Sequence, residues 1–260
     1  MQAIRTTLSE RLKPGTVNTT LCALRCVAQE AWRLGQIDAE TYARIKDVPA
    51  VTGSTLPAGR AVGSGEMGTI LAACAQDPSP AGVRDGAIIA LAYGGGLRRA
   101  ELAGLTLDSI LTDDGESITL KLVGKRHKER LVYLDNGGAA ALRDWLAVRG
   151  RADGPLLYRG IKGGQLVSGA GMTPQAIRHV LHRRAQQAKV DHVTPHDLRR
   201  SFVSDLLEGG VDIATVAQMA GHANVQTTAR YDRRPEAAKK RAARVIHVPY
   251  TRRDVSERQG

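Results

Sequence analysis

The chain has 260 residues, enough for one large domain or two small ones, and its net charge is +11. Such a basic balance favours a polyanionic partner, with nucleic acid as the first candidate, although charge alone leaves a merely soluble basic protein as an alternative. Aromatic residues make up only 3% of the chain. Single-strand binders need aromatic platforms on which bases stack, so the composition favours contact with the backbone of a duplex.

The cysteines and the hydropathy pattern indicate the cellular setting. Cys22, Cys26 and Cys74 show no metal-ligand spacing. Cys22 and Cys26 lie four apart on a predicted helix, where we expect them to be small core residues. Neither a signal peptide nor an apolar run long enough to span a membrane is evident. These features predict a reducing cytoplasmic compartment and no membrane partner.

The first part of the chain is predicted to be helical after a weakly patterned start. Residues 1–13 carry little periodicity and are expected to fray. Residues 16–34 have apolar side chains at helical spacing, and residues 38–45 suit a shorter helix. Residues 49–65 are rich in glycine, serine, threonine and proline, which is typical of a linker.

Two further helices are predicted over residues 64–75 and 80–93, and the second is apolar nearly all round. Three glycines, 94–96, end it and lead into the sequence Leu-Arg-Arg-Ala-Glu-Leu. Arg98 and Glu101 lie one turn apart, so Glu101 could orient a guanidinium group. The alternative is a surface ion pair of little energetic value. The glycine run favours the first interpretation, because it suits close approach of the backbone to another group.

The middle of the chain predicts a β-hairpin with a basic tip. Alternating residues 118–123 and 130–134 read as strands, and residues 124–128 turn the chain. A helix over 137–148, a short strand over 156–158, a loop over 160–171 and a helix from Pro174 to about residue 188 follow, the last capped by Thr173. His179, His182 and His192 could suggest zinc, but no cysteine accompanies them and surface histidines are favoured.

The stretch 194–231 predicts three consecutive helices, with Pro195 in the first turn, Asp212 and Asn224 as caps, and glycines at 209–210 and 221. His196, Arg199, His222 and Tyr231 are polar groups set on this framework. A cation, two imidazoles and a phenol together suit attack on a phosphodiester. The alternatives are a helical bundle with solvated polar residues, or a helix-turn-helix binder of DNA that does no chemistry.

The sequence HDLRRSF at 196–202, the Gly221-His222 pair and a tyrosine nine positions after that histidine resemble the tyrosine recombinase family, the phage-type integrases. The resemblance implies a mainly α fold with a small antiparallel β-sheet (α+β). It also implies site-specific DNA strand exchange through a 3′-phosphotyrosyl intermediate, with no metal, ATP or other cofactor. The bacterial nucleoid would then be the working place. A type IB topoisomerase-like relaxing activity shares the same chemistry and stays open as an alternative.

The resemblance also implies roles for individual residues. Gly-Leu-Arg aligns with Arg98 as the first catalytic arginine, with Arg99 as the competing assignment and Glu101 in support. Lys125 at the hairpin tip would be the general acid, with Lys128 as the fallback. Arg199 and His222 would stabilise charge on the phosphate, His196 would take a proton, and Tyr231 would be the nucleophile. The residues expected to contact DNA are Arg99, Arg126, Lys128, Arg200 and Arg230.

The same resemblance implies a domain organisation. Residues 1–50 would be part of a helical region that clamps DNA, 51–63 a linker, 64–245 the catalytic domain and 246–260 a basic, mobile tail. Family members carry a larger clamp ahead of the catalytic domain than these residues provide. The expected partners are duplex DNA and further copies of the chain, assembled as a tetramer on paired DNA sites.

Overall fold

The computed structural model describes residues 1–53, 59–124, 129–161 and 163–232, with the single residues 243 and 249. Over these ranges the fold is mainly helical with small antiparallel sheets, which confirms the predicted α+β class. The chain divides into two compact units, Met1–Ala58 and Gly59–Gly260. Among the described residues, none of the helices combines the length and the apolar character that crossing a membrane requires.

The first unit contains the helices α1 (Gln2–Arg11), α2 (Pro14–Arg33) and α3 (Ala39–Lys46). Helix α1 corrects the expectation that residues 1–13 fray. None of its side chains is buried, so no apolar stripe marks it in the sequence. Trp32 of α2 stacks on Tyr42 of α3 with ring centroids 5.1 Å apart, and this contact joins the two helices.

The expectation that Cys22 and Cys26 are core residues is wrong, because both are exposed. Helix α2 buries a narrow stripe that contains Val17, Leu21 and Ala28. At about 100° per residue, positions 22 and 26 lie well round the helix from that stripe. A helix that packs on one side alone therefore leaves both thiols in solvent.

The second unit is built from eight described α-helices, one 3₁₀ turn and five described strands. The helices are α4 (Ser64–Ala75), α5 (Pro80–Gly94), α6 (Arg99–Gly104), α7 (Asn136–Arg149), α8 (Pro174–Gln187), α9 (Pro195–Glu208), α10 (Ile213–Ala220) and α11 (Val225–Ala229). The 3₁₀ turn is Leu107–Ser109, and the strands are β1 (Ile110–Asp113), β2 (Ile118–Val123), β3 (Glu129–Leu134), β4 (Tyr158–Gly160) and β5 (Leu166–Gly171).

The strands form two small antiparallel sheets, in the orders β1-β2-β3 and β4-β5. The predicted hairpin is β2 paired with β3, from Ile118 opposite Leu134 to Val123 opposite Glu129. Strand β1 was missed because it is short and has no fully buried residue. Strand β5 falls where a loop was expected, because its glycines and serine are typical of loops rather than strands. The predicted strand 156–158 is shifted, and it begins only at Tyr158.

Helix α5 forms the centre of the larger core, as its apolar pattern predicted. Ile88, Ile89 and Leu91 are at most 2% exposed, and they pack with residues of α4, α7, α8 and the strand β2. A separate small cluster of Phe202, Val203, Leu207, Val216 and Ala220 joins α9 to α10. Because Tyr231 packs against this second cluster, the packing of α9 on α10 fixes where that tyrosine lies.

Candidate active site

Helix α9 begins at a well-formed cap that sets the direction of its first turn. Thr194 Oγ1 accepts a hydrogen bond from the backbone N–H of Asp197 at 3.2 Å, and Asp197 Oδ2 accepts one from the backbone N–H of Thr194 at 2.9 Å. This reciprocal pair is a capping box, and Pro195 occupies the first helical position, where no N–H is needed. The predicted start of the helix is confirmed, and His196 and Arg199 emerge from its first turn.

Four charged residues from three elements and the α5–α6 junction form what we call the cationic cluster: Arg98, Glu101, Arg130 and Arg199. Arg98 Nη1 donates to Glu101 Oε1 at 2.8 Å, and Arg98 Nη2 donates to the carbonyl of Gly221 at 2.9 Å. Arg130 donates to both Glu101 oxygens, each at 2.8 Å. Glu101 therefore orients two guanidinium groups, and the alternative of an isolated surface pair is wrong.

Arg199 is the buried member of the cationic cluster, with 4% of its surface exposed. Its Nη1 donates to the carbonyl of Gly96 at 2.6 Å, and its Nη2 donates to the carbonyl of Ala220. Gly96 has φ +60°, and a Cβ there would lie 2.4 Å from Phe202 Cδ1. Only glycine allows the backbone to approach this closely, which confirms what the glycine run predicted.

Arg130 is the member of the cationic cluster that sequence reasoning missed. It lies on β3, where Arg130, Val132 and Leu134 share the inward face and the alternate residues are exposed. A charged residue at an inward-facing strand position is unusual and needs a partner. That pattern was the available signal, and the partner is Glu101, 29 positions earlier in the chain.

A second group, the tyrosine cluster, consists of His196, Arg200, His222 and Tyr231. Tyr231 Oη lies 3.3 Å from His196 Nε2, and the His222 and Tyr231 rings are 6.3 Å apart between centroids. His222 Nδ1 lies 2.8 Å from Thr228 Oγ1. Arg200 places its guanidinium carbon 5.4 Å from the centre of the Tyr231 ring.

The turn before His222 explains how that side chain reaches the tyrosine cluster. Helix α10 starts at Asp212, whose side chain accepts from two backbone N–H groups, and ends at Gly221 in the left-handed conformation. The chain reverses there, and Asn224 caps α11. A Cβ on Gly221 would also lie 3.0 Å from Arg130 Nη1. The glycine thus serves both the reversal and the packing of Arg130.

Burial and positive charge set the protonation states of the site. Desolvation, followed by the charges of Arg199 and Arg98, lowers the pKa of His222 to about 4. Desolvation and the charge of Arg200 also lower the pKa of His196 below its usual 6.5. Both imidazoles are therefore neutral at pH 7. Neutral His196 can accept a proton from the Tyr231 hydroxyl that it faces.

Arg199 and Glu101 stay charged at the same pH. Burial and the nearby Arg98 lower the pKa of Arg199 to about 10, which still leaves it protonated. Burial alone would raise the pKa of Glu101, but hydrogen bonds from Arg130 and Arg98 outweigh it and hold the pKa at about 2. The cationic cluster carries three positive charges and one negative charge, and it suits a phosphate group.

The remaining predicted site residues differ in their exposure to solvent. Arg99 and Arg230 are exposed, whereas Arg200 is buried. Lys125, Arg126 and Lys128, and the tail 246–260 apart from residue 249, lie outside the described residues.

The histidines considered for zinc do not form a multidentate site. His182 Nδ1 and His192 Nδ1 are 3.3 Å apart, and His179 lies beside Gln175. Across the ranges that the structure describes, no three acidic, histidine or cysteine side chains are grouped as metal ligands.

Known proteins are similar to this chain in both sequence and fold. The model of the phage integrase family matches residues 62–237, a range that contains both clusters. The chain belongs to the phage integrase family. Tyrosine recombinase XerC of Corynebacterium efficiens is 32% identical over 234 residues, which cover 88% of this chain and 71% of that relative. Tyrosine recombinase XerD of Rickettsia conorii is 33% identical over 177 residues, or 64% of this chain and 57% of the relative.

Solved structures share the fold of this phage integrase family member at lower identity. A XerH site-specific recombinase bound to palindromic difH substrate, in a post-cleavage complex, has a TM-score of 0.61 at 22% identity, over 77% of this chain and 57% of that chain. A lambda integrase dimer bound to a COC′ core site has a TM-score of 0.64 at 15% identity, over 97% of this chain and 81% of that chain. At these identities the likeness is one of fold.

Proposed function

We propose that this chain cleaves and rejoins duplex DNA through a covalent bond between Tyr231 and a 3′-phosphate. Its relatives make it a tyrosine-type site-specific recombinase, and the residue roles are our assignment. The observation that carries them is the meeting of Tyr231 Oη with His196 Nε2 at 3.3 Å, beside an arginine cluster assembled from distant parts of the chain. A non-catalytic helix-turn-helix protein would have no need of that arrangement.

In the proposed cleavage step, Tyr231 Oη attacks phosphorus, the bond from phosphorus to the 5′-oxygen breaks, and the 5′-hydroxyl leaves. His196 takes the phenolic proton, since a phenol is protonated at neutral pH and needs assistance. Attack by a second 5′-hydroxyl reverses the step and restores the tyrosine. The energy of the phosphodiester is kept in the tyrosyl ester, so ATP is not consumed.

Arg98, Arg199 and His222 are assigned to the non-bridging oxygens of the phosphate. Donors fixed in advance at the place where charge develops are each worth roughly a hundredfold or more in rate. The Thr228 hydroxyl lies 2.8 Å from His222 Nδ1. If that hydroxyl donates, the proton of the neutral imidazole is on Nε2, which can then donate to a phosphate oxygen. Thr228 would thus set the tautomer that the reaction requires.

The leaving 5′-oxygen needs a proton, and we assign that role to Lys125, with Lys128 as the fallback. A general acid contributes about 10²–10⁴-fold. Both lysines fall between Val123 of β2 and Glu129 of β3 in the chain, outside the described residues. The assignment therefore rests on the family motif.

Duplex DNA is the proposed partner, and exposed Arg99 and Arg230 are the proposed contacts to it outside the two clusters. The net charge of +11 supports backbone contact. A tetramer on paired sites, a clamp formed by the first unit and a location on the bacterial nucleoid are further parts of the proposal.

The test is covalent capture on a library of nicked duplexes with randomised sequence, followed by sequencing of the attached DNA. The nick lets the short cleaved strand diffuse away, so the adduct accumulates. Tyr231→Phe should bind duplex and form no adduct. The matched control is Tyr133→Phe, because Tyr133 is 57% exposed on β3 and lies outside both clusters.

Adduct from Tyr231→Phe at the parent rate would assign the nucleophile elsewhere. Loss of cleavage activity in the presence of a chelator would favour a metal nuclease. Relaxation of a supercoiled plasmid that lacks any captured site would favour the topoisomerase alternative over strand exchange.

A further inference from the structure

Arg200 is placed differently from the exposed arginines that were expected to contact DNA with it. Only 6% of its surface is exposed, and its Nη1 donates to the carbonyl of Gly59. Its guanidinium carbon lies 5.4 Å from the centre of the Tyr231 ring, within the range of a cation–π contact. The side chain is thus held on one side by a backbone carbonyl and touches the proposed nucleophile on the other.

The carbonyl that holds Arg200 belongs to a short segment, Gly59–Val62, which we call the strap. Arg60 N donates to Asp197 Oδ1 at 3.1 Å, and Val62 N donates to Ser201 Oγ at 2.7 Å. Gly59 has φ +93°, and a Cβ there would lie 2.1 Å from Asp197 Oδ1. The strap therefore lies directly on α9 and requires glycine at its first position.

Side chains in the first two turns of α9 contact either Tyr231 or the strap, depending on their position around the helix. His196 and Arg200 are four apart and face Tyr231, one through Nε2 and the other through its guanidinium. Asp197 and Ser201 are also four apart, one position further round, and they hold the strap. One helix thus connects the strap to the tyrosine cluster through side chains on adjacent rows.

We propose that Arg200 is a positioning residue that holds the ring of Tyr231 for attack, and that the strap fixes Arg200 in turn. The inference rests on the proposed role of Tyr231 as nucleophile and adds a residue that acts through it. Tyr231 follows the five-residue helix α11, and its side chain needs support from α9 to keep Oη at His196. Arg200, one helical turn after His196, supplies that support by contacting the face of the Tyr231 ring.

The experiment measures adduct formation on a nicked duplex captured from the random library, with the chain in excess over DNA. Arg200→Met should lower the rate constant at saturating protein about 10- to 100-fold, since small displacements of a reacting group cost that much. The protein concentration that gives half the maximal rate, and the midpoint of thermal unfolding, should match those of the parent. Arg200→Lys keeps the charge and should recover part of the rate.

Arg143→Met is the matched control for loss of one arginine. Arg143 pairs with Asp113 on the surface of the second unit and belongs to neither cluster, so its loss should leave the rate unchanged. Ser201→Ala removes the acceptor of the strap and should slow cleavage in the same direction as Arg200→Met. The double variant should be no slower than Arg200→Met, because both changes act through one side chain.

Three results would overturn the proposal. An unchanged rate for Arg200→Met would show that the contact has no function. A higher half-saturating concentration with an unchanged maximal rate would make Arg200 a phosphate contact. A lowered unfolding midpoint that accounts for the rate loss, with no recovery in Arg200→Lys, would make it structural.

Should Arg200→Met not fold, Arg200→Lys and Ser201→Ala carry the test, and parent rates in both would overturn the proposal. Failure of the proposed function looks different, because the unaltered chain would then form no adduct at all.

Discussion

The two clusters of the site are held in different ways. In the cationic cluster, Arg98 and Arg130 donate to Glu101 at 2.8 Å, and Arg199 donates to the Gly96 carbonyl at 2.6 Å. In the tyrosine cluster, the contact between Tyr231 Oη and His196 Nε2 is 3.3 Å long. The arginines that would bind the phosphate are thus held by short, charge-assisted or backbone contacts, whereas the hydroxyl of the attacking tyrosine makes a longer one.

This difference suits a reaction in which the electrostatic site exists before DNA arrives. Fixed positive charge costs no reorganisation at the moment of reaction. A long hydrogen bond to the nucleophile can shorten when substrate binds, as catalytic hydrogen bonds often do. Among changes that leave the nucleophile in place, we therefore expect the loss of Arg199 to lower the rate most, and changes to residues that orient other groups to have smaller effects.

With the nucleophile in place, the largest effect is expected from Arg199→Met. The guanidinium would no longer face the phosphate, and the rate of adduct formation should fall roughly 10²–10³-fold. Two buried carbonyls, of Gly96 and Ala220, would also lose their donor, which costs about 1–3 kcal/mol each when nothing replaces it. Covalent capture and urea unfolding measure the two effects, with Arg143→Met as the control. A rate equal to that of the parent would remove Arg199 from the phosphate site.

A smaller loss, about tenfold, is expected from Arg130→Met, because Arg130 acts on Arg98 through Glu101. The double variant with Glu101→Gln decides whether this chain of contacts is real. If Arg130 works only by orienting Glu101, the two changes should be strongly non-additive in rate, since residues in one network couple. Additive losses would instead mean that Arg130 meets the phosphate by itself.

The contrast between local and distant contacts also explains what the sequence could predict. Thr173, Asp212 and Asn224 were all predicted as caps, and each side chain accepts a backbone N–H of its own helix. Capping depends on residues within one turn, so a single sequence reveals it. The hairpin β2–β3 and the buried helix α5 follow from periodicity in the same way.

Contacts between distant residues were beyond that kind of reasoning. The pairing of Arg130 with Glu101 joins positions 29 apart, and the strap joins Val62 to Ser201 across 139. Arg200 was expected on the DNA, and its burial depends on the strap, which no local pattern indicates. The prediction that Cys22 and Cys26 are core residues failed for a related reason, because the side of a helix that packs depends on its neighbours. The candidate catalytic residues were identified only because their spacing resembles a family motif.

Protonation of His222, in the tyrosine cluster, should make the stability of the fold depend on pH. Folded His222 has a pKa of about 4, against 6.5 for the unperturbed side chain, so the unfolded chain binds its proton first as the pH falls. The stabilising effect of a neutral His222 is complete above pH 6.5 and is lost as the pH falls towards 4. His222→Gln should therefore lose less stability than the parent over this window, as measured by urea midpoints at pH 7 and pH 5. Equal losses would mean that other groups cause the acid sensitivity.

The smallest effect tests the point where the clusters meet. Gly221 is left-handed, its carbonyl accepts from Arg98, and a Cβ there would lie 3.0–3.1 Å from Arg130. Gly221→Ala should cost about 1–2 kcal/mol of stability for the backbone conformation alone. Adduct formation should slow only severalfold, because the guanidinium of Arg130 can shift by a few tenths of an ångström.

Gly104→Ala is the control for that change, since no atom lies within 4 Å of its added Cβ and its φ is negative. It should be neutral or slightly stabilising. If Gly221→Ala slowed cleavage as much as Arg199→Met while the protein stayed folded, the cationic cluster would not be a site fixed by several separate contacts. Its charges would then depend on one turn of backbone, and the contrast with the longer contact of the Tyr231 hydroxyl would fail.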